Sequence, residues 1–274
     1  MLYKLPSKLA VMNRTNKETE TYVLPLQFSE EVRPVLIKRA VLAILANRRQ
    51  PYGSKPTAGM RSSVRVSKRR RDYRGSYGHG ISRVARKVLS RQGRRFNWVG
   101  AFTSQTTGGR QAHPPKAEKN WNQKINTKER RKAIRSAITA TIVRDLVAER
   151  GHKVPEPYPF ALESAAENLT KTQEVITMLI SLGFEDELER ASYKQIRAGK
   201  GKMRGRKYKR RKGPLVVVSG PCSLSMAAKN IPGLEVVSVK KLNAELLAPG
   251  TKPGRVTLWT KKALETLEKE KLFM

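Results

Sequence analysis

The sequence predicts an α/β fold: a single globular domain with a mostly parallel sheet flanked by helices, plus a long extended basic internal loop. Three observations lead there. Short apolar runs alternate with helical periods through most of the chain, the pattern of βαβ units and a parallel sheet. Leu215-Val216-Val217-Val218 is apolar at every position, as a central parallel strand covered on both faces should be. The charge, finally, is unevenly spread. The 274 residues carry 57 Lys and Arg against 22 Asp and Glu, a formal net charge of +35. Residues 48–116 hold 18 of those cations and one acid, Asp72, while residues 194–212 hold 11 and no acid. What remains is a mildly basic globular protein with two cationic insertions.

Taken in order, Thr21 to Phe28 (TYVLPLQF) reads as a strand. Pro34 to Arg49 reads as a helix, with Pro in its first turn and Ile37, Val41, Ile44 and Leu45 along one side. Residues 48–116 then break the pattern. They contain nine glycines, and their apolar residues show no sustained period. An irregular stretch of that size marks either disorder or function. Six aromatics among the arginines (Tyr52, Tyr73, Tyr77, Phe96, Trp98 and Phe102) favour an arm that threads into folded nucleic acid and orders there.

A second helix starts near Asn126, where Asn126 and Glu129 have the spacing of a capping box. It carries Ile134, Ala137, Ile138, Val143 and Leu146 on one face and stops at Gly151. Phe160 to Leu162 is a short strand, and Thr172 to Leu182 a helix closed by Gly183. After the second basic run come LVVVS (strand), SLSMAAKN (helix), LEVVSV (strand), NAELLA (a helical turn or two), RVTLWT (strand) and KKALETLEKEKL (helix).

A net charge of +35 repels itself, so a polyanion is needed to hold the basic parts in place. No run of 18 apolar residues, basic amphipathic helix or lipidation signal points to a membrane. The opening MLYKLPSKLAVMN lacks the apolar core of a signal peptide. A lone cysteine, Cys222, excludes an intramolecular disulfide and a multi-cysteine zinc site, and no metal or cofactor is expected. The chain therefore reads as cytosolic and bound to nucleic acid.

The enzymatic patterns fail on spacing. A phosphate-binding loop counted from Gly199 or Gly201 meets Arg204 or Arg206 where its second glycine should stand. Gly78-His79-Gly80 begins a dinucleotide fingerprint that ends on Arg83. A cysteine phosphatase built on Cys222 would need Arg where Ala228 stands, so Cys222 reads as a structural thiol. His113 reads as an RNA contact and His152 as a helix-end residue. The acids Glu163, Glu167 and Glu185 to Glu189 read as solvated helix faces. No nucleophile, base and oxyanion site assemble, so no enzyme is expected. The competing readings are an RNA-modifying enzyme on a nucleotide-binding α/β fold and a disordered nucleic-acid compactor.

Four segments resemble the universal large-subunit ribosomal protein L-four family in its archaeal form. They are ANRRQPYGSKPTAGMR (46–61), GGRQAHPPKAEKNWNQKINTKERRKAIRSAITAT (108–141), LTKTQEVITMLISLG (169–183) and IRAGKGKMRGRKYKRRKGPLVVVSG (196–220). Their order and spacing agree with the family from about residue 20 to residue 260. The resemblance implies that residues 1–47 and 117–274 form a globular domain on the outer face of the large ribosomal subunit. It also implies that the loop 48–116 reaches through rRNA to the nascent-peptide exit tunnel, while 194–212 forms a basic rRNA-binding segment within the globular domain. Residues 74–95 would sit at the tunnel, with Ser82, Arg83, Val84, Arg86, Lys87 and Arg91 nearest the lumen. The expected partners are large-subunit rRNA, neighbouring ribosomal proteins including the L-twenty-two family at a constriction, and the nascent peptide. No membrane partner and no homo-oligomer is expected, and feedback binding to its own message is a role some members add.

Phosphate contacts through Lys and Arg should supply most of the RNA affinity, and RNA shape most of the recognition. On the way into the loop the expected contacts are Arg48, Arg49, Tyr52, Lys55 and Arg61. Along it come Arg65, Lys68, Arg69, Arg70, Arg71 and Arg74. The return adds Arg94, Arg95, Trp98, Arg110, His113, Lys116 and Lys119, and the long helix Arg130 and Arg131. The second run contributes Arg197, Lys200, Lys202, Arg204, Arg206, Lys207, Tyr208, Lys209, Arg210, Arg211 and Lys212.

Overall fold

The computed structural model describes residues 5–274, and among the described residues ten strands and eight α-helices make up the fold. In chain order they are β1 (Lys8–Met12), β2 (Glu18–Val23), α1 (Pro34–Asn47), β3 (Arg86–Gln92), β4 (Arg95–Gly100), α2 (Thr127–Ile142), α3 (Arg144–Glu149), β5 (Phe160–Leu162), α4 (Thr172–Ser181), α5 (Glu185–Ser192), β6 (Lys194–Ile196), β7 (Tyr208–Arg210), β8 (Leu215–Val218), α6 (Ser223–Ala227), β9 (Glu235–Ser238), α7 (Ala244–Leu247), β10 (Thr257–Thr260) and α8 (Lys261–Lys269). Residues 1–4, part of the stretch weighed above as a signal peptide, lie outside the described residues. Two compact units result: the chain up to Asn47 together with Asn122–Met274, and Arg48–Trp121.

The first unit is built on a six-stranded sheet in the order β2-β1-β5-β10-β8-β9, with only β1 and β2 antiparallel. Strand alternation sorts its side chains into two cores. Val11, Ala161, Leu215, Val217 and Trp259 pack against α1, α2, α7 and α8. Met12, Phe160, Leu162, Val216, Val218 and Leu258 pack against α3, α4 and α6. All four residues of β8 are buried, as the apolar run requires. Each such side chain contributes about 1.5–3 kcal/mol by leaving water, which holds the strand between β10 and β9 with both faces covered.

Several elements differ from the sequence reading, each for a local reason. The strand read at Thr21–Phe28 ends at Val23, because Pro25 cannot continue it and a 3₁₀ turn, Leu26–Phe28, follows. On α1, Ile37 and Val41 are buried together with Ala40 and Ala43, whereas Leu45 is exposed. The capping box does not form, since Asn126 makes no side-chain cap bond and Glu129 pairs with Arg39 instead. Nor does that helix run to Gly151. It breaks at Val143, whose ψ of 103° is extended, and α3 resumes on a new axis.

The second unit contains a two-stranded antiparallel hairpin, β3–β4, where no periodic element was expected. Gly93, at φ +58, opens its two-residue turn, the left-handed geometry that tight hairpins need. Phe96 and Trp98 alternate onto one face and stack at 5.0 Å between ring centres, with Tyr73 edge-on to Phe96 at 5.2 Å.

Candidate nucleic-acid interface

The entering and returning legs of the second unit run side by side. Ser54 N–H donates to Pro115 O at 2.9 Å. A Cβ on Gly53 would sit 2.6 Å from Ala117 N, and one on Gly59 (φ +76) 2.5 Å from Arg110 N, so only glycine allows this approach. The two legs carry the motifs 46–61 and 108–119, which sequence order alone keeps far apart. Tyr52 stacks on Trp121 at 5.6 Å, and Arg49 and Lys119 lie over the Trp121 ring at 3.9 and 4.4 Å. Lys55, Arg61, Arg110, His113 and Lys116 are exposed on the same legs.

Farther out, Arg65, Lys68 to Arg71 and Arg74 are exposed, as are Arg94 and Arg95 around the hairpin turn. The guanidinium of Arg86 lies 5.4 Å from the Trp98 ring, and that of Arg83 lies 4.6 Å from Tyr77. Arg91 donates to the Tyr73 hydroxyl. The rings therefore pack on one another and on arginines while staying partly exposed. The residues expected at the tunnel divide. Ser82, Arg83, Lys87 and Arg91 are exposed, whereas Val84 and Arg86 are half-buried. Asp72, an acid among these cations, accepts from Ser67 and from the Tyr73 and Arg74 amides, which hold its carboxyl below the usual range.

In the first unit, the run 194–212 folds as a second antiparallel hairpin, β6–β7. Arg197 is half-buried and serves the hairpin itself, donating to Arg206 O at 2.9 Å and Tyr208 O at 3.3 Å. Lys194 Nζ lies 3.9 Å from the Tyr208 ring. Lys200, Lys202, Arg204, Arg206, Lys207, Lys209, Arg210 and Arg211 are exposed. Lys212 differs, since it pairs with Glu235. On α2, Arg130 is exposed, and Arg131 donates to Met274 O at 2.7 Å.

The hairpin is moored by buried charges that the sequence reading placed in solvent. Glu187 is fully buried, not on a solvated face. Its carboxylate accepts from Arg190 at 2.6 and 2.7 Å, from Lys153 N at 3.0 Å and from His152 Nδ1 at 2.6 Å. Burial alone pushes this carboxyl up, but the bonds from Arg190 and His152 overcome it and hold it below the usual range. His152 does close the helix, its amide donating to Val147 O at 3.3 Å, but its ring is also a buried partner of Glu187. Burial depresses its pKa against the opposing pull of Glu187, so the ring is neutral at pH 7 and Arg190 balances the carboxylate. Arg190 also donates to Lys212 O at 2.8 Å, fixing the exit from the hairpin. Arg255, fully buried, holds the next turn through Gly213 O at 2.9 Å and Glu235 at 2.6 Å.

Glu167 is a second correction. It is buried at the carboxyl ends of β8 and β10, where open α/β sheets bind nucleotides. Its oxygens accept from Ser219 N at 3.0 Å, Ser219 Oγ at 2.8 Å and Thr260 Oγ1 at 2.6 Å. A carboxylate satisfied there opposes a phosphate. Cys222 is half-buried, and burial pushes its thiol up. Among the described residues no three His, Cys, Asp or Glu could together hold a metal, and no helix is long and apolar enough to cross a membrane.

Residues 22–270 match the model of a family described as the ribosomal protein L4/L1 family. The chain is 54% identical over 251 residues to the large ribosomal subunit protein uL4 of Nanoarchaeum equitans, covering 91% of this chain and 93% of that one. It is 50% identical to the protein of the same name from Methanococcoides burtonii, covering 89% and 91%. It is 44% identical to that of Archaeoglobus fulgidus, covering 95% and 98%.

Proposed function

The chain belongs to the ribosomal protein L4/L1 family, and from that premise we propose that it is a structural, non-catalytic component of the large ribosomal subunit that binds large-subunit rRNA. One observation carries the RNA reading. Of the 29 lysines and arginines in residues 48–116 and 194–212, 27 are exposed, on segments that hold a single acid. Surfaces of that charge repel themselves unless a polyanion lies against them. Phosphates supply the counter-charge, and releasing their condensed cations supplies the affinity.

The globular unit would sit on rRNA through its basic hairpin, and residues 48–116 would extend between rRNA segments and support subunit assembly. Residues 74–95 are proposed to line the nascent-peptide exit tunnel, beside a protein of the L-twenty-two family. Ser82, Arg83, Lys87 and Arg91 suit that place best, being polar and exposed; Val84 and Arg86 would support them from within. The protein so placed is ribosome-bound and cytoplasmic. The RNA-modifying alternative finds no support, because the buried carboxylate of Glu167 stands at the carboxyl ends of β8 and β10, where a nucleotide's phosphate would have to approach.

The test is the salt dependence of rRNA binding. Replacing Lys207, Lys209, Arg210 and Arg211 by Gln should flatten the log–log slope by about 0.7–0.9 for each phosphate that is no longer neutralised. An unchanged slope would show that this hairpin does not touch RNA.

A further inference from the structure

At the amino ends of β8 and β10, the first unit has a cleft of about 740 Å³ that belongs to neither cationic segment alone. One wall is the hairpin base, Lys209 to Lys212; the other is the turn Pro249–Lys252, and Arg150, His152 and Arg190 form the floor. Arg150 is held there by carbonyls, donating to Pro249 O at 2.5 Å, Pro253 O at 3.5 Å and Lys252 O. Those bonds use three of the five N–H donors that a guanidinium carries. Burial, and then the like charges of Arg255 and Arg190, pull its pKa down to about 10. The acids nearby are already engaged: Glu187 by Arg190 and His152, and Glu235 by Arg255 and Lys212. Glu245 also lines the cleft, so cations still outnumber acids around it. An excess of positive charge around a half-buried guanidinium favours a bound anion.

We propose that this cleft takes a phosphate group, from the backbone of the bound RNA, between Arg150, Lys252 and the base of the hairpin. The ligand chemistry is phosphate; the RNA backbone is favoured because the cleft is continuous with the exposed hairpin cations, so one strand can pass from Arg211 to Lys252. The proposal rests on the RNA-binding reading above and adds residues outside both cationic segments. His152 reports on the site. Its ring faces Glu187 and Arg190 from α5 and Arg150 from the turn after α3, and the two arginines oppose its protonation. An anion that offsets their charge makes protonation easier.

The 274-residue chain, with its three histidines isotope-labelled, is titrated with inorganic pyrophosphate and followed by NMR. The expected result is a saturable shift of His152 and an upward move of its titration midpoint. Lys252→Gln, at an exposed position, should weaken pyrophosphate binding at least threefold and lower the rRNA salt slope by about 0.7–0.9. If His152 responds to pyrophosphate but Lys252→Gln leaves the RNA slope intact, the site serves a free phosphate compound and the RNA source is overturned. If His152 does not move and the slope is unchanged, while the 207–211 variant still flattens it, the cleft proposal fails and the RNA reading stands. If His152 does not move and neither variant alters the slope, both fail.

Discussion

The two units handle charge in opposite ways. In the α/β unit, buried ions are matched inside the protein: Glu187 with Arg190, Arg255 with Glu235, and Glu167 with the hydroxyls of Ser219 and Thr260. In the unit Arg48–Trp121 the acids are Asp72 and Glu118, and several cations rest on aromatic rings instead. Internal matching leaves the buried charges of the first unit without need of a partner. The second is organised well enough to present its cations, but their charge is left for a partner to neutralise.

The largest expected effect follows from removing one buried ion. Glu187→Ala strands Arg190 and the Lys153 amide, and should cost about 3–5 kcal/mol in denaturant unfolding of the α/β unit. A cost below about 1 kcal/mol would mean that the cluster is not a mooring point. Next comes Trp98→Ala. It removes a stacked ring from the hairpin, lowering local opening free energies there by about 0.5–1.5 kcal/mol beyond the area effect. Hydrogen exchange should show β3 and β4 loosened and the α/β unit untouched; a change in both would break the separation.

Acidification sharpens the contrast further. The folded pKa values of His152 and Glu187 both lie below their unfolded values. The unfolded chain thus binds more protons, and stability falls as pH drops below about 6.5, first through His152 and then through Glu187. Unfolding midpoints measured from pH 8 to pH 4 test this, and a midpoint that rises on acidification would contradict it. The smallest effect is expected from Asp72→Asn. Asp72 is fully exposed, so its removal should leave α/β unfolding unchanged, although it too is an acid among arginines.

The same contrast explains what was legible in the sequence. Leu215–Val218 and the strand near Trp259 were visible because a doubly covered strand is apolar throughout. The β3–β4 hairpin was hidden because a register shift between Val88 and Ser90 breaks its alternation, and because its faces are covered by Tyr73 and by arginines. β1 was overlooked in KLAVM, which shows its character only beside β2 and β5. Glu187 and Glu167 read as solvated helix residues because His152, which bonds the first, stands 35 positions away, and Ser219 and Thr260, which bond the second, stand 52 and 93 positions away. The basic segments were plain from composition. What composition does not show is that Arg197, Arg131 and Lys212 spend their charge on the protein's own groups.

The central claim is that Arg48–Trp121 is completed by RNA while the α/β unit is complete without it. Hydrogen exchange on the full chain, free and bound to large-subunit rRNA, tests it directly. The account predicts weak protection across residues 48–121 in the free protein, a large gain on binding, and little change in β5, β8 and β10. Strong protection of 48–121 in the free chain, or a gain confined to the sheet, would contradict it.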